Sequence, residues 1–112
     1  MTAQRVRVRR RRVCGVMRAF VPRGAVYVAG AGFGLPSSGW EPPHWTGTTP
    51  AERIAARAAS VERFRLVIAG DADLRTRIRT HLRDRDLACY CALTDNACHA
   101  DVLLRVAAGG DP

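Results

Sequence analysis

The sequence predicts a small α/β domain built on a mostly parallel open sheet. Three observations carry this prediction. Residues 25–29 and 86–91 are rich in β-branched, aromatic and small apolar side chains and read as strands. Two helical patterns lie between them, and a third follows the second strand. Strands joined by a long helical crossover lie parallel in one sheet, and the 112 residues suffice for one core.

Along the chain, Arg5-Val6-Arg7-Val8-Arg9 alternates with period two, as a strand with one polar face does, or as a basic arm. Ala25-Val26-Tyr27-Val28-Ala29 is bounded by Gly24 and by Gly30, Gly32 and Gly34, so it reads as a buried strand ending in a glycine-rich loop. Residues 30–49 are dense in Gly, Pro and Ser and hold Trp40 and Trp45; a loop this long in a small domain is functional or disordered. Thr49-Pro50-Ala51-Glu52 is a capping box with proline at the first helical position, and it opens a helix. Ile54, Ala58, Val61, Phe64 and Ile68 form its apolar stripe, and Gly70 stops it. Asp71 or Asp73 caps a second helix with Leu74, Ile78 and Leu82 on one face. In the second strand Leu87, Cys89 and Cys91 share a face opposite Ala88 and Tyr90. Thr94-Asp95-Asn96 then leads into a helix over residues 98–108, capped by Asp95 or Asn96 and ended by Gly109-Gly110. The expected architecture is a small Rossmann-like sheet in the order strand, loop, helix, helix, strand, helix. It comprises a basic leader over 1–24, a domain over 25–108 and a tail over 109–112.

The charge is concentrated. Residues 1–24 hold eight arginines and no acid, which accounts for the whole net charge of +8; the remaining 88 residues carry ten arginines against ten acids, and lysine is absent. Arg9-Arg10-Arg11-Arg12 sets up a strong local potential for phosphate-rich partners, against the plain alternative of a solvated arm. No run of 18 apolar residues exists, which excludes a membrane-spanning helix. Residues 13–21 resemble the apolar part of a secretory signal, but Arg18 interrupts them and no small-residue cleavage pattern follows, so they read as mature sequence. Three of four cysteines fall within ten positions, a pattern that, without a secretory signal, fits a reduced intracellular compartment better than a disulfide framework.

Open parallel sheets bind ligands beyond the carboxyl ends of their strands, which here means the loop after residue 29 and the segment 91–99. Gly30, Gly32 and Gly34 follow a strand, as phosphate-binding glycines do, although Leu35 occupies the third glycine position of the dinucleotide fingerprint. Trp40, with His44 and Trp45, offers a stacking platform or simply closes the loop over the core. Cys89, Cys91, Cys98 and His99 place four zinc-type donors within eleven residues. The same residues support two other readings. Cys98 and His99 in the first turn of a helix, with Asp101 orienting the imidazole, make a reactive thiol or anion site. Alternatively, the cysteines are small buried hydrophobes.

The segment Asp86-Leu87-Ala88-Cys89-Tyr90-Cys91 followed by Cys98-His99-Ala100-Asp101-Val102-Leu103-Leu104 resembles the domain-of-unknown-function 4326 family, small proteins of actinobacteria and their phages that end in a CWC…CHADVL signature. Arg9 to Arg12 with Gly15 and Met17, then Gly24-Ala25-Val26-Tyr27-Val28, resemble that family's basic first strand and its GAVYVGR strand. Where the family reads GR.S.WGNPF, Trp40 is followed here by Glu41-Pro42-Pro43 in a longer loop, without the Arg and Asn of the pattern. The resemblance implies no reaction. The leading expectation is a phage or bacterial protein that binds a nucleotide or other phosphate-bearing ligand at the strand ends. The competing one is a nucleic-acid-binding accessory protein that uses Arg9 to Arg12 on phosphates, with a structural Cys/His zinc site.

Overall fold

The computed structural model describes residues 3–42, 46–91 and 98–112. Readings that fall on His44, Trp45, Thr94, Asp95 and Asn96 lie outside them. Among the described residues, five strands and three helices form a small α/β unit: β1 (Arg5–Arg7), β2 (Arg9–Val13), β3 (Val16–Phe20), β4 (Val26–Tyr27), α1 (Pro50–Ala69), α2 (Ala72–Leu82), β5 (Leu87–Cys89) and α3 (His99–Ala107).

A parallel sheet of order β1-β5-β4 places the fully buried β5 at its centre. Leu87 lies in register with Arg5 on one side and Val26 on the other, and Ala88 with Val6 and Tyr27. Pairing continues past the strand ends: Val8 N–H donates to the Cys89 carbonyl at 2.9 Å, and Val28 N–H to that of Ala88 at 3.0 Å. Alternation along β5 splits the core. Leu87 and Cys89 face the three helices, together with Val28, Ile68, Ile78, Leu82, Leu103 and Val106, whereas Ala88 faces Val8 and Ala19 on the opposite side.

The helices therefore cover one face only. The connection from β1 to β4 is not helical: it runs through the antiparallel pair β2–β3, a ribbon separate from the main sheet. The basic leader is thus just over half strand. Its two-residue turn, Cys14-Gly15, has φ of 50° and 78°, the left-handed pair that closes a tight hairpin and that glycine accommodates without strain.

The capping box of α1 is complete. Glu52 N–H donates to Thr49 Oγ1 at 3.1 Å, while the Glu52 carboxylate accepts from the N–H groups of Thr48 and Thr49. Thr49→Ala is expected to cost about 1 kcal/mol of unfolding free energy in urea titration. The buried stripe of α1 differs from the expected one. Ile54 is 63% exposed, and burial begins at Ser60 and continues through Val61, Phe64 and Ile68. The first turns of this 20-residue helix are thus largely exposed, and Ser60 is its first fully buried residue. In α2, Asp71 caps Leu74 N–H, Arg75 donates to the carbonyls of Ile68 and Ala69 at the end of α1, and Arg79 Nε donates to Val106 O of α3. Arg75 and Arg79 of α2 thus tie the backbones of its neighbouring helices. No helix among the described residues is long and apolar enough to cross a membrane.

Candidate functional site

Parallel pairing brings the ends of β4 and β5 to the same edge of the sheet, and α3 begins beside them. A cleft of about 490 Å³ opens there, lined by Ala29, Gly30 and Ala31 after β4, by Cys89 to Cys91 at the end of β5, and by Cys98 and His99 at the start of α3. Arg57 and Val61 of α1 and Glu41 and Pro42 of the long loop close the other sides.

The sulfur atoms of Cys89, Cys91 and Cys98 all lie within 4.8 Å of one another, with Cys89 Sγ and Cys98 Sγ 3.5 Å apart. Tetrahedral thiolate zinc, with Zn–S near 2.3 Å, requires S···S separations of about 3.8 Å. The trio can hold a metal ion. Cys89 and Cys91 meet because they alternate along an extended segment, and Cys98, the N-cap residue of α3, reaches them from the adjoining helix.

Hydrogen bonds from Cys89 and then Cys91, with help from His99 and Arg5, pull the Cys98 thiol well below its ordinary pKa although burial opposes this. Cys89 is pushed up by the bonds it shares with Cys91 and Cys98 and by burial. For Cys91 the bond with Cys89 is a lowering influence, outweighed by the bond with Cys98 and by burial, so its thiol rises to about 11. Of the three thiols, Cys98 is the one whose surroundings favour the thiolate.

His99 is not one of the three groups that converge, although its side chain hydrogen-bonds Cys98. Its Nε2 lies 2.6 Å from the Val28 carbonyl, which can only accept, so Nε2 carries the proton, and the ring meets Phe64 edge-on. This bond fastens the start of α3 to the end of β4. Asp101 pairs with Arg5 Nη1 at 3.5 Å, and among the described residues it makes no hydrogen bond to His99. Burial raises the Asp101 pKa against the pull of Arg5.

The glycines and Trp40 separate in space. Gly30 lines the cleft. Gly32 bridges to Leu35 and accepts from Tyr90 Oη at 2.8 Å, Gly34 lies beside Arg18 of the ribbon, and neither is among the residues that line the cleft. Trp40 packs on the helical core next to His81, with ring centroids 6.2 Å apart. Arg9 to Arg12 lie on the exposed ribbon. Three site residues escaped the sequence reading. Arg57 stands one helical turn before Val61 on the inward side of α1, a spacing that pointed to it. Glu41, held by Ser37 and Ser38, and Arg5 depend on contacts with no local pattern.

A family model described as a domain of unknown function, DUF4326, matches residues 1–109. The chain belongs to this family. The match spans the ribbon, the sheet, the helices and the cysteine trio of this DUF4326 protein. No curated protein and no solved structure matches the chain.

Proposed function

We propose that the cleft binds a nucleotide or another phosphate-bearing ligand, with zinc held by Cys89, Cys91 and Cys98 at its floor. One observation carries the reading: three mutually close sulfurs line a cleft at the carboxyl ends of parallel strands. That is where open α/β sheets take their ligands, and in this sense the Rossmann-like expectation is kept. Thiolate donors suit zinc, and three protein ligands leave a coordination position for water or ligand. Zinc bound there would supply a Lewis acid for a phosphoryl oxygen. The chain's own residues supply the rest: Arg57 a fixed cation for phosphate, Gly30 and Ala31 a backbone free of bulky side chains, and Val61 an apolar wall. Four free cysteines agree with a reducing compartment such as the cytoplasm of a bacterial or phage-infected cell.

Calorimetric titration with pyrophosphate and with nucleoside mono- and triphosphates tests the reading. Arg57→Gln is expected to weaken binding about tenfold or more, the worth of one charge-assisted hydrogen bond. If none of these probes binds at millimolar concentration, or if Arg57→Gln leaves the affinity unchanged while helical content is retained, the cleft is not a phosphate site.

A further inference from the structure

The ribbon is the feature that the cleft leaves unexplained. Every residue of β2 is exposed, and in β3 only Ala19 is buried. Antiparallel register puts directly opposed residues on one face. Arg9 with Phe20, Arg11 with Arg18 and Val13 with Val16 therefore share a face, and Arg10 with Ala19 and Arg12 with Met17 share the other. The second face rests on the protein: Ala19 is buried, its N–H donates to Phe33 O at 2.9 Å, and the Arg10 guanidinium lies 5.3 Å from the centre of the Phe33 ring. The first face is exposed, with the Arg18 guanidinium beside Gly34 at its edge.

That exposed face carries like charges without internal compensation. Arg11 stands directly opposite Arg18, a pairing that costs stability, and no acid occurs in residues 1–24. Among the described residues, no carboxylate pairs with Arg9, Arg10, Arg11 or Arg18. The Arg11 guanidinium stacks 5.0 Å from the centre of the Phe20 ring, which fixes its plane and leaves its N–H edge available. Such a surface is complementary to a polyanion.

Shape selects among polyanions. A two-stranded ribbon, with strands about 4.8 Å apart, fits the roughly 12 Å major groove of B-form DNA. The corresponding groove of duplex RNA is too deep and narrow for protein side chains. The arginines extend along β2, whose five residues span roughly 17 Å, as befits an element that follows a groove. We infer that the β2–β3 ribbon lies along the major groove of duplex DNA, with Arg9, Arg11 and Arg18 turned toward the base edges and flanking phosphates.

Fluorescence anisotropy of the full chain on a short mixed-sequence DNA duplex, repeated over a range of salt concentrations, tests this. Arg9→Gln/Arg11→Gln/Arg18→Gln is expected to lower affinity on the order of a hundredfold and to reduce the log–log salt slope by roughly two to three. Arg63→Gln/Arg77→Gln/Arg83→Gln removes the same charge from exposed helix and loop positions and is expected to retain most of the binding. A measurement on the unaltered chain stands beside the variants: methylating guanine N7 in the duplex should weaken binding, because that atom lies in the major groove. Equal losses in both triple variants, indifference to N7 methylation, or stronger binding to single strands, duplex RNA or anionic vesicles would each overturn the assignment. None of these outcomes depends on the cleft, so the two readings fail separately.

Discussion

Cys98→Ser is expected to strip the protein of zinc. Purified without chelator, the unaltered chain should carry about one equivalent, and the variant less than about a tenth. Cys98 is the sulfur that joins the helix to the strand: it lies 3.5 Å from Cys89 Sγ and completes the trio that closes within 4.8 Å. Losing a supporting hydrogen bond around a metal costs about 10–100-fold in affinity, and losing a ligand should cost more. Because Cys98 is also buried at the start of α3, Cys91→Ser makes the gentler test; Cys91 is half-buried and lies outside any helix. It should also lose the ion, while Cys14→Ser, at the exposed ribbon turn, should keep it. Cobalt substitution gives an independent reading, since thiolate-to-cobalt charge transfer should be present with Cys14→Ser and absent with Cys91→Ser. An unaltered chain that purifies and reconstitutes without metal would remove zinc from the site and return the trio to packing.

The clarity of this site in the sequence varied with the distance its contacts span. Cys89 and Cys91 were legible because alternation along a strand is a local rule, and α1 was legible because a capping box and Gly70 mark its two ends. The bond from His99 to Val28 joins residues 71 positions apart, and the Arg5–Asp101 pair joins the first strand to the last helix. No periodicity announces either. The neighbours of His99 in sequence therefore suggest a ligand, and its neighbours in space add a second task, fastening α3 to the end of β4. The ribbon was obscured for a different reason. Arginine runs resemble solvated arms, and the Cys14-Gly15 turn lacks the Asn-Gly or Asp-Gly signature of a tight hairpin although it adopts the required left-handed angles. The position of Ile54 was not legible because the helical period identifies a stripe but not how much of its length the rest of the fold covers.

The core fixes how firmly the site is held, and Leu103→Ala should show it. Leu103 is fully buried in α3 within the cluster that includes Ile78, Leu82 and Leu87, so truncation removes packing from both the helical layer and the central strand. The expected loss is about 2–5 kcal/mol. Against a total of about 5–15 kcal/mol for a domain, that brings the variant close to unfolding. Urea titration should show a lower midpoint with little change in slope, whereas Ile54→Ala, on the exposed end of α1, should stay within about 0.5 kcal/mol of the unaltered chain. The comparison becomes diagnostic when zinc is added. An ion that binds only the folded chain stabilises it by an amount set by concentration and affinity alone, so the gap between Leu103→Ala and the unaltered chain should be the same with and without zinc. A gap that widens with zinc would mean that loosening the middle of α3 has reached Cys98 at its start and weakened the metal site itself. The rigidity of the trio would then rest on the packing of α3 as well as on the bond between His99 and Val28.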